Sequence, residues 1–222
     1  MSSDLTTPAN DELDRPEANH AAASTVAPNA FLAGNPAAVG LPAFIVGSIA
    51  LGLVLVGYVP ATAIGASIPI IAASTGLGLT ISTIWAAATG QSAVASIFGI
   101  FSGFWLSYAM LVLGLTHDWF ANPAAAAARA QGLFLIAWLV IVLMLTAATL
   151  RLPLAFTVLF ALIDLALFAV LVGTLTASTG WLKLGGVLAF AFAAVGVYLY
   201  LGIASLVTGG TGLSFGKPVL GG

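Results

Sequence analysis

The sequence Asn-Pro-Ala-Ala-Val-Gly-Leu, residues 35–41, stands immediately ahead of the first long apolar segment of the chain. Asparagine is favoured at a helix N-terminus, because its side-chain oxygen accepts an amide proton that has no partner in the first turn. Proline suits the first helical position, where no amide donor is required. We therefore predict that Asn35 and Pro36 begin a helix, and that this N-terminus is a favourable place for an anion. We call residues 35–41 the collar.

The composition excludes a water-soluble domain. Of the 222 residues, 61% are hydrophobic and 5% are charged, and the mean hydropathy is +1.15. Soluble domains carry charge on about a quarter of their residues. A net charge of -2 with five Lys and Arg residues gives no basic surface for nucleic acid. The absence of cysteine excludes disulfides, thiolate catalysis and cysteine-based metal sites.

Composition also divides the chain into three parts. Residues 1–34 contain five of the seven acidic residues together with several prolines. Such a segment cannot bury enough apolar surface to offset its chain entropy, so we predict a disordered acidic N-terminal tail. Residues 35–208 are predicted to form the membrane domain, and residues 209–222 a short C-terminal tail.

Six apolar segments follow the collar, and each has about the 20 residues that a helix needs to cross a bilayer core. We place them at Pro42 to Val59, Ala63 to Ala88, Ala93 to Leu115, Gln131 to Leu150, Leu154 to Leu175 and Leu184 to Val207. The predicted fold is therefore all-α, a polytopic membrane protein with a bundle of six transmembrane helices, located in the cell membrane and surrounded by the lipid bilayer.

An even number of spans places both ends of the membrane domain on one side. Arg151 and Lys217 lie on that face, whereas Arg129 and Lys183 lie on the opposite face. Basic residues are normally enriched on the cytoplasmic side. Because the two faces carry equal numbers of basic residues, the sequence does not determine which side of the membrane the two ends lie on.

Small residues indicate where the helices approach one another, since they let membrane helices pack closely. Gly99 and Gly103 form a GxxxG pair in the third span, and Gly185, Ala189 and Ala193 form a stripe in the sixth. We predict that both are helix contacts, either within one bundle or between subunits.

Asp164 is the one ionisable carboxylate within a predicted span. A charged carboxylate facing lipid costs at least roughly 2.5 kcal/mol, so this residue must face a pathway or a polar partner, or be protonated. Two interpretations follow. Asp164 is either a pathway residue that exchanges protons, or a structural acid bonded to a neighbouring helix.

The sequence contains little other chemistry. Neither His20 nor His117 has other potential metal ligands at a suitable spacing in the sequence. No nucleophile elbow, phosphate-binding loop or HExxH motif is present. An intramembrane enzyme needs at least a catalytic pair, and Asp164 has no second member. We predict a protein that is not an enzyme, with no catalytic residues, no cofactor and no metal.

At this point the sequence resembles a known family. The collar is similar to the NPAPLGL-type signature of the microbial acetate uptake transporters, which include the acetate/succinate:proton symporters. Gly90-Gln91-Ser92, followed by residues 102–106 (Ser-Gly-Phe-Trp-Leu), is similar to the family's G-N-T and G-S-F-W-L stretches. The resemblance runs over most of residues 35–207.

This resemblance implies a six-helix transport domain that assembles as a homo-hexamer. It implies a pathway through each protomer for acetate, related small monocarboxylates and succinate, together with protons. By position, Phe44 matches the phenylalanine of the family's constriction, and Phe101 stands where relatives have a tyrosine. The leucine of the constriction is expected near Ile163 to Leu165. Asp164 is not part of the family pattern.

The spans themselves contain no Lys or Arg, so a deep cationic pocket is not predicted. The groups that can still interact with an anion are helix N-termini, backbone amides and hydroxyl groups. These solvate an anion weakly and release it quickly. The sequence therefore favours either proton-coupled symport or channel-like passage of a small carboxylate over tight binding.

An aquaporin-like channel for water or small neutral solutes is the alternative, because Asn-Pro-Ala occurs at residues 35–37 and again at residues 122–124. In aquaporins, each triplet opens a half-helix after the second and fifth spans, and an arginine directly follows the second triplet. Here the first triplet precedes every span, and Arg129 is not adjacent to the second. The positions argue against this alternative.

Overall fold

The structure, a computed structural model, describes residues 34–221. Apart from Gly34, the acidic tail predicted for residues 1–34 lies outside the described residues. Six helical segments are long and apolar enough to cross a membrane, and the described residues contain no strand. The predicted all-α bundle of six transmembrane helices is confirmed, and the protein is a multi-pass integral membrane protein.

The helices are as follows. The first span is α1 (Ala37–Leu55). The second, Thr62–Ala88, joins a 3-10 helix (Ala61–Ser67), a π-helical turn (Ile70–Leu77) and α2 (Gly78–Ala88). The remaining spans are α3 (Ser92–Thr116), α4 (Ala127–Thr149, after a short 3-10 turn at Ala124–Ala126), α5 (Leu154–Thr176) and α6 (Thr179–Val207).

The predicted span ends differ from the structure mainly where polar or proline residues lie inside a helix. The first helix begins at Ala37, next to the predicted cap at Asn35 and Pro36, and contains Pro42, where we placed the start of the apolar membrane segment. The sixth begins at Thr179, whereas the prediction began at Leu184. Prolines and small polar residues are tolerated near a helix N-terminus, because several amides there lack a partner within the helix.

The helices form a ring. The order of packing is α4 on α5, α5 on α6, α6 on α1, α1 on the second span, and the second span on α3. The ring closes between α3 and α4 through large aromatic side chains. Phe104 contacts Phe134 and Trp138 at centroid distances of 5.6 and 5.4 Å, and Tyr108 contacts Phe134 at 5.8 Å. These rings hold the two backbones apart.

The small residues of α6 lie where the predicted stripe requires close packing. A Cβ added at Gly185 would collide with Val170 of α5, and one added at Gly186 would lie 3.0 Å from the carbonyl oxygen of Gly52 in α1. This stripe is therefore a contact surface within the bundle. Gly103 of α3 is exposed, so the GxxxG pair faces partly outward from the protomer.

The segment after α6 folds back over the bundle end that contains the starts of α1 and α5. The Tyr198 hydroxyl donates to the carbonyl oxygen of Ser214 at 2.5 Å. The amide of Ala155 donates to the carbonyl oxygen of Phe215 at 2.9 Å, and the amide of Leu220 donates to that of Leu150 at 2.9 Å. The C-terminal tail is thus bonded to α6, to the start of α5 and to the residue that follows α4.

Candidate functional site

The collar begins α1 in the way its sequence predicts. The side-chain oxygen of Asn35 accepts a hydrogen bond from the amide of Ala37 at 3.0 Å. Pro36 is buried and already has helical dihedral angles, with φ -56° and ψ -27°. The Ser82 hydroxyl donates to the carbonyl oxygen of Pro36 at 2.6 Å, which ties the collar to α2.

Beside the collar lies a cavity of about 190 Å³, which we call the collar cavity. Its wall comes from the starts of α1, α3 and α5 and the end of α6. Among the described residues that line it, Asn35 and Gln91 carry the polar side chains, and the rest are apolar. The lining residues are Asn35, Ala37, Leu41, Phe44, Gln91, Val94, Ile97, Phe98, Phe101, Phe156, Leu159, Phe160, Leu199 and Ile203.

Phe44 and Phe101 stand at the deep end of the collar cavity. Their rings meet edge to face, with centroids 5.2 Å apart and planes at 73°. Phe192 supports Phe44 at 5.8 Å, and Phe160 supports Phe101 at 5.7 Å. Both central rings also line the next cavity, so the pair separates the two spaces.

The next space, the central cavity, has a volume of about 50 Å³. Its wall is apolar except for two side chains of α3, Trp105 and Tyr108. Ile163 of α5 is buried and lines this cavity, whereas Leu165 is 55% exposed on the outside of the bundle. In the stretch where the resemblance places a leucine, Ile163 is therefore the residue that faces the interior.

A third space, the outer cavity, lies at the opposite end of the bundle from the collar and has a volume of about 650 Å³. It shares five lining residues with the central cavity, namely Leu55, Tyr108, Phe134, Leu135 and Val170. Lys183 at the start of α6 also lines it. Among the described residues that line the three cavities, none is acidic and Lys183 is the one cation.

The three cavities thus follow one another along the bundle. The Phe44 and Phe101 pair borders the central cavity on one side. The five residues shared with the outer cavity border it on the other. A row of cavities with mostly apolar side chains between them is an arrangement that can pass a small solute and exclude bulk water, since apolar constrictions gate by dewetting.

Asp164 does not line any of these three cavities. It is buried between α4 and α5, where its Oδ2 lies 2.5 Å from the hydroxyl of Thr146. Its second oxygen, Oδ1, has no hydrogen-bond partner. Of the predicted site residues, Asn35, Phe44 and Phe101 thus line the collar cavity, whereas Pro36 and Asp164 line none of the three cavities.

The second Asn-Pro-Ala triplet is also apart from the path. Asn122 is exposed in the connection between α3 and α4, at the opposite end of the bundle from the collar. No half-helix enters the bundle from this triplet, because Ala124–Ala126 is a short turn that leads directly into α4.

Trp105, Tyr108 and Lys183 were not predicted as site residues. The first two could have been found from spacing. Phe101, Trp105 and Tyr108 are four and then three residues apart, which places them on one face of α3. Lys183 lies at a helix start, and its sequence neighbours do not reveal that it lines a cavity.

Comparisons with known proteins agree with this architecture. A family model described as the GPR1/FUN34/yaaH family matches residues 19–212. The acetate transporter protein patA of Aspergillus clavatus is 29% identical over 167 residues, which cover 71% of this chain and 67% of the relative. The solved structure of the bacterial acetate channel SatP is similar with a TM-score of 0.72 at 21% identity, and the match covers 82% of this chain and 98% of that chain.

Proposed function

Because this chain belongs to the GPR1/FUN34/yaaH family, we propose that it moves acetate and related small carboxylates across the membrane through its row of three cavities. The observation that carries this proposal is the Phe44 and Phe101 pair, which lies between the collar cavity and the central cavity and lines both. We further propose that residues 35–208 form the transport domain and that the protein performs no catalysis.

The charges along the path suit an anion. No acidic side chain lines the three cavities among the described residues, and Lys183 at the outer cavity attracts negative charge. At the other end, Asn35 and the start of α1 place a helix N-terminus beside the collar cavity. A helix N-terminus favours negative charge by typically 0.3–1 kcal/mol. Both ends therefore draw a carboxylate in without holding it tightly.

A carboxylate that enters the apolar central cavity loses its hydration, which is costly unless the charge is compensated. A proton that travels with the substrate removes that cost, and this is the proton-coupled form of the proposal. Channel-like passage down the acetate gradient is the other form. The family resemblance extends the proposal to succinate as a substrate and to a homo-hexamer as the assembly.

The test is uptake of labelled acetate into vesicles that contain the purified protein, with and without an imposed proton gradient. Acetate uptake above that of empty vesicles supports transport, and equal uptake contradicts it. Uptake that increases with an inward proton gradient supports symport, whereas uptake that ignores the gradient supports channel-like passage. Water permeability in the same vesicles tests the aquaporin-like alternative.

The assembly is tested by native mass spectrometry of the detergent-solubilised protein. The measurement should show six copies, and a stable monomer would contradict the hexamer.

The substrate range is tested by competition. Unlabelled succinate should reduce the uptake of labelled acetate if both acids use the same path. Acetamide, which has a similar size and no charge, is the control for competition that depends on size alone.

A further inference from the structure

The C-terminal segment runs antiparallel to the connection between α4 and α5, at the end of the bundle that contains the collar. The amide of Leu220 donates to the carbonyl oxygen of Leu150 at 2.9 Å. The amide of Ala155 donates to the carbonyl oxygen of Phe215, also at 2.9 Å. The residues between these two bonds in the C-terminal segment therefore lie beside those between them in the connection.

Each of the two adjoining stretches carries one cation. Arg151 belongs to the connection, and Lys217 belongs to the C-terminal segment. The stretches are in close contact, since a Cβ added at Gly216 would lie 3.0 Å from the Cβ of Leu154. Both cations are exposed, and neither side chain forms a hydrogen bond or an ion pair with any described residue. We call Arg151 and Lys217 the cationic patch.

The described residues at this end of the bundle provide no acidic partner for the patch. The two described carboxylates are Asp118, in the connection between α3 and α4 at the opposite end, and Asp164, which is buried between α4 and α5. The other five acidic residues belong to residues 1–34. Within the part of the chain that the structure describes, the patch is therefore a local excess of positive charge.

The patch lies where the bundle meets the membrane surface. Because α4 ends at Thr149 and α5 begins at Leu154, Arg151 stands at the ends of two spans. Leu154 and Leu220, in the same two stretches as the cations, are 44% and 50% exposed. Basic side chains near the ends of membrane helices extend to the headgroup level, while apolar neighbours contact the acyl chains.

We propose that the cationic patch binds the headgroup phosphate of an anionic phospholipid, whose acyl chains contact Leu154 and Leu220. The Arg151 guanidinium matches phosphate through two parallel hydrogen bonds, and Lys217 adds a second positive charge. A zwitterionic lipid brings its own cation, which finds no acidic partner among the described residues at this end. The site therefore selects a headgroup with net negative charge. This inference concerns the bilayer and goes beyond the proposed transport of acetate.

Bound lipid should stabilise the folded protein. Arg151 and Lys217 belong to different stretches, so one headgroup that contacts both joins the C-terminal segment to the connection between α4 and α5. A ligand of this kind is lost when the protein unfolds, and its binding raises the unfolding temperature in proportion to its concentration and affinity.

The experiment measures the unfolding temperature of the purified, detergent-solubilised full chain against the concentration of dioctanoyl phosphatidylglycerol. Dioctanoyl phosphatidylcholine, which has the same acyl chains, tests the selection for negative charge, and inorganic phosphate tests whether a free anion is sufficient. The variants are Arg151→Gln and Lys217→Gln. Arg129→Gln is the matched control, because Arg129 is an exposed cation at the opposite end of the bundle.

We expect Arg151→Gln and Lys217→Gln each to weaken phosphatidylglycerol binding about fivefold, as the contribution of one basic residue at an anionic membrane surface implies. Arg129→Gln should bind as the wild type does. Without added lipid, all three variants should unfold at the wild-type temperature, because exposed cations without partners contribute little to stability.

Unchanged phosphatidylglycerol binding in Arg151→Gln and Lys217→Gln would overturn the inference, as would equal weakening in Arg129→Gln or no binding by the wild type. Equal binding of phosphatidylcholine would remove the selection for negative charge and contradict the proposal. Inorganic phosphate that binds as tightly as phosphatidylglycerol would show a site for a free anion and would also contradict it. None of these outcomes depends on acetate uptake, so the proposed transport function stands or falls separately.

Discussion

The edge-to-face contact of Phe44 with Phe101 lies between the collar and central cavities. Aromatic pairs in this geometry contribute about 0.5–1.5 kcal/mol beyond their burial. Each ring has a second phenylalanine behind it, Phe192 or Phe160, so neither can rotate freely. This packing holds the two rings in place between the two cavities.

Phe101→Leu should open this contact, because the shorter side chain no longer reaches Phe44. We expect acetate uptake to rise several-fold and larger carboxylates to enter. Phe98→Leu on the same helix is the control, since Phe98 is equally buried and lines the collar cavity alone. A similar increase in both variants would indicate general loosening of α3 and would contradict a constriction at Phe101.

Asp164 is bonded to a neighbouring helix in the structure. The Thr146 hydroxyl lies 2.5 Å from Asp164 Oδ2 and 3.0 Å from the carbonyl oxygen of Val142. A hydroxyl has one proton, so it cannot donate to both oxygens. If Thr146 donates to Val142, the hydrogen bond to Asp164 requires a proton on the carboxyl group.

Asp164→Asn should keep this bond, because an amide also donates to a hydroxyl. We expect the free energy of unfolding to fall by less than about 1 kcal/mol, in line with side-chain hydrogen bonds between membrane helices. We also expect the pH dependence of acetate uptake to match the wild type. A shifted pH dependence would instead support the prediction that Asp164 is a pathway residue.

At the scale of elements, the second span departs most from a regular helix. Its π-helical turn, Ile70–Leu77, is followed by α2, and the turn is joined to α3 by side-chain hydrogen bonds. Ser102 donates to the carbonyl oxygen of Gly76 at 3.1 Å, and its hydroxyl lies 2.6 Å from that of Thr80. Because Ser102 follows Phe101, these bonds also position the constriction.

Ser102→Ala should therefore lower the free energy of unfolding by about 0.6 kcal/mol, the average found for such bonds between membrane helices, and should change acetate uptake. Ser107→Ala is the control on the same helix, because the Ser107 hydroxyl bonds to carbonyl oxygens of α3 itself. Thermal unfolding and vesicle uptake measure the two effects. Equal effects in both variants would show that the contact with the π-helical turn has no special role.

At the scale of the whole molecule, the C-terminal segment joins elements that are distant in sequence. The Phe215 ring contacts Phe156 of α5 at 6.0 Å and Tyr198 of α6 at 5.9 Å. Phe156 also lines the collar cavity. The segment thus holds together one wall of that cavity.

Phe215→Ala should lower the free energy of unfolding by about 1–3 kcal/mol, since it removes a partly buried aromatic ring that connects two helices. Val219→Ala is the control, because Val219 is 53% exposed in the same segment. Thermal unfolding of the purified protein provides the comparison. An unchanged unfolding temperature in Phe215→Ala would mean that the ring contacts do not stabilise the bundle.

The sequence by itself determined the six spans, the helix start at the collar and the family. These follow from local rules. A chain in lipid must satisfy its backbone hydrogen bonds within each helix, so length and apolar composition are enough to locate the spans. The cap at Asn35 depends on an amide two residues away, and the small-residue stripe of α6 depends on helical spacing alone.

Only the tertiary structure decided which side chains meet along the path. The contact of Phe44 with Phe101 joins α1 to α3, and the cavities on either side depend on the packing of several helices at once. The same packing left the Trp105 N–H without a partner and gave Asp164 a partner on α4. Such contacts arise between residues far apart in the chain, where neither helical periodicity nor composition specifies the neighbour.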